Sequence, residues 1–452
     1  MKNEPQQKSI TTNSARNIVI LLVAIIVGAA AITFAVAQNA NPVTKNPLAS
    51  AVDKAAQTSP AAPTLPKTKS AATATNPAVA DGAAPAATAS TNAATIDTKN
   101  SAAVEAAIAK VLQGVVKADD MPGMAAAVIM NGKILGAAAA GVRKRATPDP
   151  VLRDDPFHLG SCTKAFTATL IGILVDEGKL KWDSTIGELI GREINGINPD
   201  YAPVTIDQLL HHRSGAWPNG PSEVWKAAQN ANGTPVEQRL LYVESILSQP
   251  PRFPAGKYLY SNAGYAILGF IAETITKTPY ETLMEQKVFI PLGLTSAGFG
   301  NAGSEKELTA PYPHLETGAP TFLDNPKAIT PAGLIHMNVT DWAKFCLVHL
   351  GHQPTPPLLK PETLEHLHTL AGDVAEDKFG YACGWMRPNR DWAGGRTLHH
   401  AGSNLLNYCV VWLSPQKDFG VLAATNQGGK NAEAAVNEAC TALIDEFLLN
   451  KK

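Results

Sequence analysis

The pattern of apolar and polar positions divides the chain into three stretches. Residues Ile18 to Ala37, IVILLVAIIVGAAAITFAVA, run for twenty positions without a charge. As a helix that run can cross a hydrocarbon core of ~30 Å. From Gln38 to Asn100 the chain has almost no large apolar side chain. A segment such as PAAPTLPKTKSAATATNPAVADGAAPAATAS cannot offset its ordering entropy by burial, so residues 38–100 are expected to form a disordered linker spanning roughly 45 Å. Periodic patterning begins near residue 101 and continues to residue 452, with no further linker and no internal repeat.

Within 101–452, Ala102 to Val116 carries apolar residues at helical spacing. Next come two apolar runs, GMAAAVIM and KILGAAAAGV, joined by Asn131-Gly132, the strongest short signal for a hairpin. Thr163 to Glu177 predicts a mostly buried helix stopped by Gly178, and a helix-rich region runs from about Asp183 to Gly300. Asn407 to Leu413 and Gly420 to Thr425 predict a second hairpin around SPQKDF, and Ala432 to Leu449 predicts a closing amphipathic helix. Strands at both ends with helices between predict an α/β architecture of the α+β type. An antiparallel sheet is completed by the two ends of the domain, flanked by helices, with a helical subdomain inserted.

Lys2, Lys8 and Arg16 precede the first apolar run and predict a cytoplasmic N-terminus. The run is longer than the usual ~7–15-residue core of a signal peptide, which favours a membrane anchor over a signal cleaved near Ala37. Either way residues 1–37 export the rest, and the domain is expected on the periplasmic or outer face of a membrane. The 38 Lys+Arg against 39 Asp+Glu leave a net charge of −1, which gives no electrostatic reason to expect nucleic acid as a partner. The 5 cysteines are odd in number and form no C-x-x-C, excluding a dense disulfide scaffold and a zinc ribbon.

Chemistry concentrates in three places. In LGSCTKAF, Ser161 and Lys164 share one face at the start of a helix. A serine hydroxyl needs a neighbouring base, and a partly desolvated lysine loses its proton readily enough to serve. The backbone N–H of Ser161 at the helix start can also face an oxyanion. In YLYSNAGYAILG, Tyr260-Ser261-Asn262 is the only Y-x-N in the chain. Its phenol can shuttle a proton and its amide can bind a substrate amide. In LHHAGSNLLNYCVVWL, His400-Ala401-Gly402 enters a strand, where His400 can donate to a substrate and Gly402 permits close approach. The Ser403 N–H is a candidate second oxyanion donor. Each motif alone is weak. S-x-x-K recurs at Ser414 to Lys417, read as solvated turn, and H-x-G recurs at His158 and His349.

Order and spacing add what each lacks, with 99 residues from Ser161 to Tyr260 and 140 from Tyr260 to His400. Together with TIDQLLHHRSGAW, VFIPLGLTSAGFG and PAGLIHMNVTDWAKF, the motifs resemble the serine β-lactamase and penicillin-recognising superfamily, in its class C β-lactamase, D-peptidase and esterase branch. The likeness covers Ala102 to Leu449. It implies a β-lactamase/transpeptidase-like fold and a two-step acyl transfer. Ser161 attacks, Lys164 and Tyr260 manage its proton, Asn262 and His400 contact substrate, and the Ser161 and Ser403 N–H groups hold the oxyanion. It implies no metal and no cofactor, and a small-molecule or peptide substrate, peptidoglycan-derived material included. The oligomeric state stays open.

Two departures narrow this. Ala401 stands where carboxylate-binding members carry Thr, so a free carboxylate loses a hydrogen bond worth about 1.5–3 kcal/mol. That places esters, amides and D-amino-acid peptides ahead of β-lactams. Asn407 stands where the family often has Gly, and asparagine tolerates a left-handed backbone. The pairs His211-His212 and His399-His400 invite a metal, but adjacent residues project in different directions and no H-x-H or H-E-x-x-H accompanies them. The alternative to a hydrolase is a non-turnover penicillin-binding or sensor module of the cell envelope.

Overall fold

The computed structural model describes residues 101–372, 374 and 380–450. The apolar run at 18–37 and the linker at 38–100 lie outside the described residues. Helix α1 (Ser101–Ala118) buries Val104, Ile108, Leu112 and Val115, the stripe expected where one face of a helix packs on a core. The first hairpin follows as β1 (Gly123–Met130) and β2 (Lys133–Gly141). Asn131 and Gly132 have φ of 51° and 70°, the two left-handed residues that a two-residue hairpin turn demands.

Helix α2 (Thr163–Asp176) is stopped by Gly178, whose φ is 70°. The helical region then includes Ile186–Ile190, α3 (Ile206–Leu210), Pro235–Leu247, α4 (Asn262–Thr276) and Tyr280–Met284. Thr185, Thr205 and Thr234 each start a helix with a capping box, satisfying backbone N–H groups that the first turn leaves free. Helix α5 (Pro361–His368) precedes the last strands, β3 (Leu398–Ser403), β4 (Tyr408–Ser414) and β5 (Phe419–Thr425), and α6 (Lys430–Ile444) follows them.

The strands form one antiparallel sheet in the order β2-β1-β5-β4-β3. Both ends of the domain build it, as the sequence predicts. Period-two alternation sorts β1 between two cores: Ala125, Ala127 and Ile129 face α2 and the helical region, while Met124, Ala126, Val128 and Met130 face α1 and α6. Every residue of β1 is therefore buried, and each fully covered Val, Ile or Leu contributes about 1.5–3 kcal/mol.

Two expectations need correction. Ser414 is buried rather than solvated, because its hydroxyl caps the turn by accepting from Lys417 N at 3.2 Å. Lys417 is the exposed member of that pair. Asn407 does not take the left-handed backbone; Leu405 does, with φ 70°, and Asn407 instead donates through N and Nδ2 to the side chain of Asn404. Among the described residues no helix is long and apolar enough to cross a membrane.

Candidate active site

Ser161 sits in a single turn of 3-10 helix, Gly160–Cys162, that runs into α2. Sheet edge β3 lies against this turn, and two glycines make the approach possible. A Cβ on Gly160 would lie 2.3 Å from the backbone nitrogen of Ser403, and one on Gly402 would lie 2.0 Å from the Leu159 carbonyl oxygen. The Ser403 N–H is thereby set beside the Ser161 turn. Gly402→Ala must push the edge strand off that turn. It is expected to cost about 1–3 kcal/mol of stability, measured by urea unfolding, together with most of the ester turnover. Wild-type stability and turnover in the variant would show that the close packing is dispensable.

One helical turn beyond Ser161, Lys164 is fully buried, and α4 brings Asn262 to meet it. The Lys164 Nζ lies 3.1 Å from Ser161 Oγ, 2.7 Å from Asn262 Oδ1 and 2.7 Å from the Ala332 carbonyl oxygen. Burial pushes the pKa of this amine well below its ordinary value, so the neutral form is favoured. A neutral amine has two N–H bonds and one lone pair. The two fixed acceptors, Asn262 and Ala332, take the N–H bonds, which leaves the lone pair for the Ser161 hydroxyl.

The face of Tyr260 lies 4.8 Å from Lys164 Nζ, measured to the ring centre. Burial raises the phenol's pKa and a hydrogen bond with Ser161 opposes that rise, so Tyr260 holds its proton. Ser161, Tyr260, Asn262, Ala401 and Ser403 are all partly exposed, while Lys164 lies beneath them. Lys164 is thus shielded from water by partly exposed neighbours.

His400 is placed differently from the expectation. Its ring is buried and does not face the open side of the cleft. Nδ1 lies 2.6 Å from the Ala401 carbonyl oxygen and Nε2 lies 3.0 Å from the Tyr381 hydroxyl. This assigns the proton to Nδ1, with Nε2 accepting from Tyr381. Burial pushes its pKa down to about 3, so the imidazole is neutral and anchors the strand end from inside.

Several members of the site are not visible in the motifs. Asn219 accepts from Asn262 Nδ2 at 2.7 Å and fixes which end of that amide meets Lys164. His212 accepts from the Ser261 N–H at 3.1 Å and packs against the rings of Tyr260 and Tyr381, with centroids 4.3 and 4.5 Å away. Tyr381 completes the aromatic wall. Loop asparagines and isolated aromatics carry no periodic signal, so only the fold brings them here.

Residues 108–446 match the family model described as Beta-lactamase. The chain belongs to this family. It is 25% identical over 350 residues to penicillin-binding protein 4 of Amycolatopsis lactamdurans, covering 72% of this chain and 86% of that one. It is 27% identical over 245 residues to unguisins hydrolase ungD' of Aspergillus campestris (strain IBT 28561), covering 52% of this chain. There the chain spans less than half of its relative, 45% of that length. The class C β-lactamase structure from Rhodobacter sphaeroides shares the fold, with a TM-score of 0.61, 21% identity and coverage of 76% of this chain and 99% of that one. The chain is thus a member of the β-lactamase family, similar both to a hydrolase and to a penicillin-binding protein.

Proposed function

We propose that this β-lactamase-family protein is an extracytoplasmic hydrolase that forms an acyl-enzyme on Ser161 and cleaves an ester, an amide or a D-amino-acid peptide. The contact set of the Lys164 amine carries the reading. An amine with both N–H bonds satisfied by fixed acceptors has its lone pair aimed at the adjacent hydroxyl. A buried lysine without a reaction to serve is a costly group to retain.

Lys164 takes the Ser161 proton as Oγ bonds to the substrate carbonyl carbon. The carbonyl oxygen becomes an oxyanion facing the Ser161 and Ser403 N–H groups. Collapse of the tetrahedral intermediate breaks the bond to the leaving group, which takes a proton relayed from Lys164 through Tyr260. Water, deprotonated by the same pair, then attacks the acyl carbon, and the proton returns to Ser161 Oγ as it leaves.

Ala401 lies on the partly exposed edge of β3 and offers no hydroxyl to a substrate carboxylate. This supports neutral esters, amides or peptides over substrates recognised through a free carboxylate, and places β-lactams last. The apolar run at 18–37 supports a tethered domain on the far side of a membrane.

A fluorophosphonate probe tests both parts. Applied to the purified chain, it is expected to label Ser161 in peptide mass spectrometry, with no label on Ser161→Ala. A membrane-impermeant version is expected to label the protein in intact cells. Equal labelling of Ser161→Ala removes the nucleophile, and labelling only after lysis removes the extracytoplasmic placement.

A further inference from the structure

Away from the cleft opening, side chains from three elements converge on one point. Asp207 is on α3, His366 is on α5, and Cys383 is in the loop that also carries Tyr381. One donor atom from each lies within 4.8 Å of the other two. His366 Nε2 is 2.9 Å from Asp207 Oδ1. The His366 ring is held by Trp182, stacked at 4.1 Å with an interplanar angle of 17°.

Cys383 is fully buried, and the polar contacts of its thiol are long. Its Sγ lies 3.8 and 4.0 Å from the two ring nitrogens of His211. Those nitrogens are already committed, one to the Asp207 carbonyl oxygen at 2.9 Å and the other to the Thr369 carbonyl oxygen at 3.1 Å. The thiol therefore points into the cluster without a strong hydrogen bond. Asp207 and His366 are partly exposed, with side-chain accessibilities of 37% and 30%, which leaves a path from solvent.

We propose that Asp207, His366 and Cys383 form a zinc site, with the fourth position open to water. Thiolate, imidazole and carboxylate together suit this borderline-soft divalent ion, and its bonds of about 2.0–2.3 Å require the three donor atoms to draw in by roughly 1 Å at their widest. Cys383 binds as thiolate, releasing its proton to water. His211 is outside the ligand set; its ring bonds hold the Asp207 turn in place. Such a site escapes a reading of local spacing, because its ligands are scattered from 207 to 383.

The ion is a clamp rather than a participant in acyl transfer. It ties α3 and α5 to the Cys383 loop. That loop also packs Gly384 against α2, where an added Cβ would meet Ala165 Cα at 2.6 Å. The same loop presents Tyr381 to His400. Metal binding therefore fixes the inner wall of the cleft.

The test uses the full chain, stripped with a chelator and titrated with Co(II) and then Zn(II). Cobalt is expected to give a thiolate-to-metal charge-transfer band together with tetrahedral visible bands, both displaced by zinc. Zinc at 100 times its Kd is expected to shift the folding equilibrium by about 100-fold, read as a raised Tm. Cys383→Ser should lose the charge-transfer band, and Asp207→Asn should lose the zinc-induced rise in Tm. Absence of the cobalt spectrum in wild type, or its persistence in Cys383→Ser, overturns the proposal. So does a rise in Tm that is equal in wild type and Asp207→Asn.

Discussion

Lys164→Ala is expected to lower kcat/KM for a p-nitrophenyl ester by about 10²–10⁴-fold, the range associated with losing a positioned general base. The acid limb of the pH–rate profile should disappear with it. In wild type, activity falls as pH drops through the depressed Lys164 pKa, because the ammonium has no lone pair for Ser161. Stability should move the same way. The folded-state pKa lies below the unfolded value of about 10.4, so between the two the unfolded chain holds one more proton. Stability therefore rises with pH through that window, by up to about 1.4 kcal/mol per unit, and is lost as pH falls. Lys164→Met removes this linkage. It should unfold at a higher temperature than wild type at pH 7 while being inactive. A Met variant that is less stable than wild type, or an Ala variant with an unchanged pH profile, would mean that Lys164 is an ordinary charged lysine.

Arg239→Ala is expected to destabilise the domain by about 3–5 kcal/mol, the cost of leaving buried carboxylates without their cation. Arg239 is fully buried on the helix Pro235–Leu247. It donates to both oxygens of Glu273 at 3.1 and 2.8 Å and to both oxygens of Glu281 at 3.0 and 2.9 Å. Glu273 in turn accepts from the Tyr280 N–H at 3.0 Å. This network joins three helices, one of them α4, which carries Asn262. Arg239→Lys should recover only part of the loss, since an ammonium cannot serve two carboxylates through a planar fork. Urea unfolding measures both variants. A cost below about 1 kcal/mol would place the network among weak surface pairs.

The sheet was legible because its information is local. The apolar run Gly123–Met130, the Asn131-Gly132 turn and the late apolar runs each specify a strand without reference to the rest of the chain. The candidate nucleophile was legible only through the order and spacing of the three motifs, since S-x-x-K by itself recurs at Ser414 to Lys417. His400 shows where that reasoning stops. A histidine on an edge strand can face the cleft or the interior, and the choice was made by Tyr381, which lies nineteen residues away and meets its Nε2. Arg239 fails to announce itself in the same way. In PVEQRLLYVESIL it reads as one more solvated charge, and only the arrival of Glu273 and Glu281 makes it a buried junction.

Sequence alone determined the antiparallel sheet shared by the two ends of the domain, and it placed Ser161 and Lys164 on one turn. Periodicity and short spacings encode these, and they hold whatever surrounds them. Tertiary structure decided which acceptors occupy the lysine's N–H bonds, which way His400 turns, and that Asp207, His366 and Cys383 meet at all. Those outcomes depend on contacts between segments far apart in sequence, where burial and the need to pair each polar group select one arrangement from many that the local pattern allows.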